Sequence, residues 1–264
     1  MLFRSVIIIT GSGRSGTTIL GKIIGSMEPC YYLFEPSIMK YCADVDTLRP
    51  VLFEDYWVLQ AQGRNLNINE NEDSYYLNYM DNNFYSKRKD ALRRCQESKL
   101  CIKVTEYTQD SSTVKSWFPG LKFIHIYRNG NDVVDSMAIR GWFTNPYMEN
   151  GYLDATYNGG VPWFIYGMEA GEWCTYNQHT RCAAVWRSTT ETGIDSDMIQ
   201  IKYENLKAYD FDALSSDLGL RISKLTRKHI GSIRKPVKHY DITRNIQEPE
   251  KSRFMALMNR LEYV

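Results

Sequence analysis

The chain reads as an α/β protein of three layers, with a central parallel sheet, helices on both faces, and helical or loop inserts on one side. Two observations predict this. Short β-rich runs alternate with stretches of helical periodicity along most of the 264 residues, the pattern of a parallel sheet covered by helices. The first such run, "SVIIIT" (5–10), is apolar almost without interruption, as a strand buried on both faces must be.

Taken in order, "SVIIIT" is the first strand, and residues 17–27 follow as a helix with Ile19, Leu20, Ile23, Ile24 and Met27 at helical spacing. "YYLFE" (31–35) is the next strand, ended by Pro36. "KLCIKVTEY" (99–107), "LKFIHIYR" (121–128) and "DMIQIKYENL" (197–206) are further strands. Residues 130–140, 180–192 and 249–262 read as helices, the last one amphipathic. There is no internal repeat and no flexible linker, so residues 1–264 are expected to form one domain. Two inserts interrupt the alternation, at about 37–98 and 141–178. Inserts of this length on an α/β frame commonly build the substrate side of a site, and equally suit plain surface excursions.

Composition limits the function classes. The 43% apolar and 13% aromatic residues can fill a sizeable core. Thirty-two basic residues against 31 acidic ones leave a formal charge of +1, which argues against a general nucleic-acid or membrane surface and makes any anion binding local. No signal segment precedes the first strand, no run is long enough to span a membrane, and no Asn-x-Ser/Thr sequon occurs. A cytoplasmic protein is the expectation. The cysteines Cys30, Cys42, Cys95, Cys101, Cys174 and Cys182 form no C-x-x-C pair, so a zinc site is not expected. A Cys174–Cys182 bridge stays open in an oxidising compartment.

The chemistry starts at "GSGRSGTT" (11–18), between the first strand and the first helix. A strand, a Gly-containing turn and a helix N-terminus together make an anion cradle of backbone N–H groups. Ser15, Thr17 and Thr18 add hydroxyls, and Arg14 adds a planar guanidinium that can fork onto phosphate oxygens. The spacing is nearly that of a triphosphate-binding loop, but Thr17 stands where the lysine belongs. Without that lysine, triphosphate hydrolysis over magnesium is disfavoured; a single 5′-phosphate bearing a less charged group needs less countercharge. On its own the loop also suits a turn that only caps a helix.

The stretch resembles the 5′-phosphosulfate loop of the sulfotransferases that use 3′-phosphoadenosine 5′-phosphosulfate (PAPS), in which R-S-G-T-T or K-S-G-T-T replaces the lysine pattern. "FIHIYRNGNDVVDSMAIR" (123–140) resembles that family's 3′-phosphate motif, a strand, an Arg, a turn, and a Ser eight residues on: here Arg128 and Ser136. Arg140 lies one helical turn beyond Ser136 and matches a further basic contact of tyrosylprotein-type members. "IQIKYENL" is similar to the family's late strand and places Tyr203 near the nucleotide. "RCAAVW" (181–186) and "SIRKPVKHY" (232–240) are similar to a Trp-bearing helix and a basic closing loop, with Lys235 the matched contact. The resemblance covers most of residues 5–240 and implies a P-loop-like fold. The nucleotide contacts would be Gly13, Arg14, Ser15, Gly16, Thr17, Thr18, Arg128, Ser136, Arg140, Tyr203 and Lys235. PAPS would be the sulfuryl donor and adenosine 3′,5′-bisphosphate (PAP) the product, with no metal. The acceptor would be a hydroxyl-bearing glycan, tyrosine peptide or small molecule.

Transfer to a hydroxyl needs a base, and positive charge on the leaving phosphate. Glu35, in "YYLFEP", falls at the expected end of the second strand, twenty-one residues after Arg14, where strand ends open into one crevice. Carbohydrate sulfotransferases carry a similar F-E-P, and Glu35 is the expected general base. Lys103, ending the third strand, resembles the lysine aimed at the transferred group. Glu106 is the alternative base; the cytosolic branch's histidine is missing near this strand end. His125 lies inside an apolar strand and reads as a core histidine, and His179, His229 and His239 carry no spacing signal. Two other functions fit part of the pattern: a kinase with a degenerate loop, and a nucleotide-binding protein without catalysis.

Overall fold

Five consecutive buried residues, Val6–Thr10, form the first strand, β1. The computed structural model describes residues 5–34, 46, 98–145, 156–157, 161–162, 165, 167–234 and 240–264. After β1 come helix α1 (Thr17–Gly25), strand β2 (Cys30–Phe34), and, beyond residues 35–97, strand β3 (Lys99–Lys103). Helix α2 (Ser111–Trp117), strand β4 (Lys122–Tyr127) and helix α3 (Gly130–Ile139) follow. A two-residue pair, β5 (Thr156–Tyr157) and β6 (Val161–Pro162), lies within the second insert. Then come α4 (Ala170–Thr175), α5 (Gln178–Asp195), β7 (Ile199–Lys202), α6 (Phe211–Leu218), α7 (Lys224–Gly231) and α8 (Glu250–Arg260).

The main sheet has the order β2-β3-β1-β4-β7, and every neighbouring pair is parallel. It is the α/β fold with a central parallel sheet that the alternation predicts. Side chains of β1 alternate across it, as they must in a strand. Ile7 and Ile9 pack with Leu20, Ile23 and Ile24 of α1 and with Phe211 and Leu214 of α6. A second core joins Val133, Val134 and Met137 of α3 to Trp186 of α5 and to Phe254, Leu257 and Met258 of α8. Each fully buried Ile, Leu or Phe in these layers contributes about 1.5–3 kcal/mol.

Register puts the carboxyl ends of the strands along one edge. Ile9 pairs with Lys103, Phe34 with Lys103, Thr10 with His125, and Tyr127 with Lys202. From β1 the chain moves out to β2 on one side, whereas β4 and β7 lie on the other. The loop after β1 therefore sits where the winding direction changes, the place where open α/β sheets bind ligands.

Several boundaries differ from the sequence reading. The third strand stops at Lys103 and the chain turns into a 3-10 helix over Glu106–Thr108, closed by Thr108 Oγ1 donating to the Thr105 carbonyl at 2.9 Å. The last strand stops at Lys202, and residues 203–208 form a second 3-10 helix. The helix expected over 180–192 runs from Gln178 to Asp195, because Asn177 caps its first turn by accepting from the Thr180 N–H. Cys174 and Cys182 are not joined in a disulfide: Cys174 is exposed, while Cys182 is buried with its Sγ 3.7 Å from the Trp142 carbonyl. Among the described residues no helix is long and apolar enough to cross a membrane.

Candidate functional site

The loop between β1 and α1 is held open by its glycines. At Gly11 (φ +139°) a Cβ would lie 2.2 Å from the Ile126 carbonyl oxygen of β4, so only glycine lets the loop leave the sheet there. Arg14 itself adopts a left-handed conformation, with φ 71°, an uncommon state for a residue with a Cβ. Strain of this kind persists only where the surroundings enforce it, and such sites are enriched in function.

Gly16, with φ 97°, occupies the N-cap of α1 and supplies no side-chain cap. The caps elsewhere differ: Asn177, Asp210 and Ser223 each accept an N–H at the start of their helices. No acidic residue lies in the first turn of α1. The positive end of this helix thus meets no protein anion on its own first turn. Ser15 is fully buried, and its hydroxyl has no hydrogen-bond partner among the described residues. This hydroxyl can serve a ligand or an ordered water.

The second motif arrives from β4. Arg128 follows directly on that strand, and Asp132 on α3 takes its guanidinium at 2.7 and 3.1 Å. The same guanidinium lies over the Tyr203 ring at 4.8 Å, within cation–π range. Tyr203 in turn packs on Gly16, where a Cβ would come within 2.4 Å of the ring. Trp186 Nε1 donates to the Arg128 carbonyl at 3.0 Å, and Asn129 caps α3 by accepting from the Asn131 N–H. The turn that carries Arg128 is thus fixed on both sides.

One contact joins the two motifs. Arg14 Nε donates to Ser136 Oγ at 3.1 Å, across 122 positions of sequence. Arg14 is exposed, yet partial burial and then the nearby Arg140 and Arg128 guanidiniums push its pKa below the ordinary arginine value. Arg14 thus lies near two further guanidiniums, of which Arg128 is paired with Asp132, and the remaining excess of positive charge suits an anion.

The structure therefore brings together Gly13, Arg14, Ser15, Gly16, Thr17, Arg128, Ser136, Arg140 and Tyr203, with Thr18 on the first turn of α1. Lys103 is buried at the end of β3, in register with Ile9 two residues before the loop. Glu106 is half-buried, and its carboxylate accepts from Thr105 Oγ1 at 2.9 Å. Glu35 and Lys235 lie outside the described residues. His125 is a core residue as read: burial depresses its imidazole to about 3.

Two further residues support the site. Trp142 packs on Gly13, where a Cβ would meet its ring at 2.8 Å. Glu204 accepts from the Asn129 N–H at 3.0 Å; its position directly after Tyr203, in "YENL", was the available signal.

A glycine-bearing loop with an uncapped helix N-terminus meets three arginines at the carboxyl edge of a parallel sheet, an arrangement suited to an anion, in an α/β protein. A model of the sulfotransferase family matches residues 6–210, and the chain belongs to that family. No curated protein matches it in sequence. Among solved structures it is similar to the sulfotransferase domain from the Synechococcus PCC 7002 olefin synthase. That match has a TM-score of 0.50 and 15% identity, over 98% of this chain and 94% of that one. It is also similar to sulfotransferase STF9 from Mycobacterium avium, with a TM-score of 0.50 and 12% identity over 98% and 77%. At these identities the likeness is one of fold.

Proposed function

We propose that the protein transfers a sulfuryl group from PAPS to an acceptor hydroxyl, on a carbohydrate or a protein tyrosine, and releases PAP. The observation that carries this reading is the Arg14–Ser136 hydrogen bond, which makes the loop motif and the strand–helix motif one continuous cationic site. Family membership supports the transferred group.

The residues present fit a nucleotide with phosphates at both ends of its ribose. Ser15 brings a buried hydroxyl without a partner, α1 an uncapped N-terminus, and Arg14, Arg128 and Arg140 the countercharge. When bound, PAPS supplies a sulfuryl group already activated on its 5′-phosphate. Residues 13–18 hold that end through backbone N–H groups, hydroxyls and Arg14. Arg128, Ser136 and Arg140 hold the 3′-phosphate, Tyr203 braces Arg128, and Lys235 closes over the nucleotide. Glu35 takes the proton of the acceptor hydroxyl. Lys103, Arg14 and the α1 N-terminus stabilise negative charge as it grows on the leaving phosphate, an electrostatic contribution that needs no metal.

The test is radiolabelled transfer from PAPS to a panel of glycans, tyrosine peptides and small alcohols. Labelled product is expected with at least one class, and Glu35→Gln should keep PAP affinity within about twofold while lowering turnover by about 10²–10⁴-fold. Tight PAP binding without any labelled product would instead make the chain a nucleotide-binding protein without catalysis. Magnesium-dependent ATP turnover would make it a kinase.

A further inference from the structure

Three consecutive residues, the last of β7 and the first two of the 3-10 helix that follows it, face three different parts of the molecule. Lys202 Nζ donates to the Leu261 carbonyl at 2.8 Å and lies over the Tyr263 ring at 4.1 Å. Tyr203 lies beneath the Arg128 guanidinium and against Gly16. Glu204 bonds in two directions: one carboxylate oxygen accepts from the Asn129 N–H at 3.0 Å, the other from the Tyr263 hydroxyl at 2.8 Å. The segment that presents Tyr263 is itself fixed. Glu262 turns it through a left-handed φ of 58°, and the Tyr263 N–H donates back to the Met258 carbonyl of α8 at 2.9 Å.

Asn129 directly follows Arg128, and its N–H belongs to the same peptide unit as the carbonyl that Trp186 holds. That one peptide is thus fixed at both polar atoms, by a tryptophan from α5 and a carboxylate from the 3-10 helix after β7. A carboxylate that accepts a main-chain N–H makes a strong, directional bond. Its second oxygen would let it rotate, but the Tyr263 hydroxyl occupies that oxygen.

We infer that Tyr263 and Glu204 are positioning residues for the 3′-phosphate half of the nucleotide site. Through the chain Tyr263 hydroxyl, Glu204 carboxylate and Asn129 N–H, they set the direction in which the Arg128 guanidinium leaves β4. The inference rests on the proposed role of Arg128, and its test keeps the two apart. Neither residue touches the nucleotide in this account. Their loss therefore weakens discrimination in favour of a 3′-phosphate and leaves the grip on the 5′-phosphate unchanged.

The experiment measures affinity of the whole protein for PAP and for adenosine 5′-monophosphate, which lacks the 3′-phosphate, by calorimetry. Arg128→Ala should abolish the preference for PAP. Tyr263→Phe keeps the ring over Lys202 and removes only the hydroxyl; it should weaken PAP by about three- to tenfold, less than the full value of a hydrogen bond to a charged group because the bond acts on the nucleotide only through Asn129 and Arg128. Affinity for the monophosphate should stay within about twofold, and Glu204→Gln should shift the two ligands in the same pattern. If Tyr263→Phe and Glu204→Gln weaken both nucleotides equally, or neither, while Arg128→Ala removes the preference, the positioning role is wrong. If Arg128→Ala leaves the preference intact, the reading of the 3′-phosphate site fails and the inference falls with it.

Discussion

Gly16 meets two demands at once, and a methyl group would violate both. Its φ of 97° is one that L side chains rarely adopt, and an added Cβ would lie 2.4 Å from the Tyr203 ring. The left-handed backbone alone costs a residue with a Cβ roughly 1–2 kcal/mol. The ring contact adds a displacement of Tyr203, the residue against which Arg128 rests at 4.8 Å. Gly16→Ala should therefore lower PAP affinity by about tenfold or more, with both phosphate halves affected because the fault lies between them. Calorimetric titration checks this; unchanged affinity would mean that Tyr203 does not brace the site. Arg14 shows the limit of residue-level reading. Its presence in the loop is plain in "GSGRSGTT", and the anion chemistry follows from it. Its bond to Ser136 is not, because that contact joins residues 122 positions apart and depends on β1 and β4 lying side by side.

At the scale of elements, α5 and α8 depend on one ion-pair cluster. Arg187 on α5 meets the fully buried Glu250 of α8 at 2.6 and 3.1 Å, and Glu191 at 2.7 Å. Arg253 approaches Glu250 only to 3.7 Å. Removing Arg187 leaves a buried carboxylate with one distant cation. Breaking a buried pair in this way costs about 3–5 kcal/mol, and Arg253 places the expected loss for Arg187→Ala near the lower end. Urea unfolding of the variant measures it, and a loss below about 1 kcal/mol, the range of a surface pair, would refute the account. Elements were legible in the sequence where one physical signal dominated. The apolar run of β1 and the helical spacing of α1 each give their element within a residue or two. Where two signals compete, the boundary moved. "KLCIKVTEY" continues its β-like pattern past Lys103, but Thr105 and Thr108 turn the backbone through local hydrogen bonds that strand periodicity does not encode. Helices α6 and α7 were not read at all, although Asp210 and Ser223 stand as N-caps before them. Each has only eight residues, little more than two turns, over which an apolar period is hard to distinguish from chance. The two-motif layout of the site was legible, since strand–turn–helix units carry their own signal. Trp142 on Gly13 and Glu204 on Asn129 were not, because both are tertiary contacts between elements distant in sequence.

For the whole molecule, acid stability turns on His125, which sits on β4 between β1 and β7. Its ring has Thr10 Oγ1 at 3.4 Å from Nδ1 and the Gly193 backbone of α5 against its face, where a Cβ would lie 2.2 Å from the ring. Burial depresses the imidazole to about 3, against about 6.5 in an unfolded chain. Below pH 6.5 the unfolded state takes a proton that the folded state refuses. Stability is therefore complete above pH 6.5 and falls as pH drops towards 3, by up to about 1.4 kcal/mol per pH unit. Between pH 7.5 and pH 5 this amounts to about 2 kcal/mol from His125 alone. His229, lowered by burial and by Lys22 and Lys228, adds a smaller change in the same direction. The depressed carboxylates Glu172, Asp195, Asp197 and Asp241 lose stability only as pH falls through the ordinary carboxylate range and below. Glu250, raised by burial, gains stability as pH falls and opposes the histidines, so it is the difference between the parent protein and a His125 variant that isolates His125. Because α5 covers the ring through Gly193, only separation of α5 from the sheet hydrates it, and the penalty appears in global unfolding rather than in local fraying. His125→Phe keeps a flat ring against Gly193 and removes the proton acceptor. Urea unfolding at the two pH values should show most of the drop in the parent protein and little of it in the variant. An equal drop in both would show that His125 already accepts a proton inside the sheet.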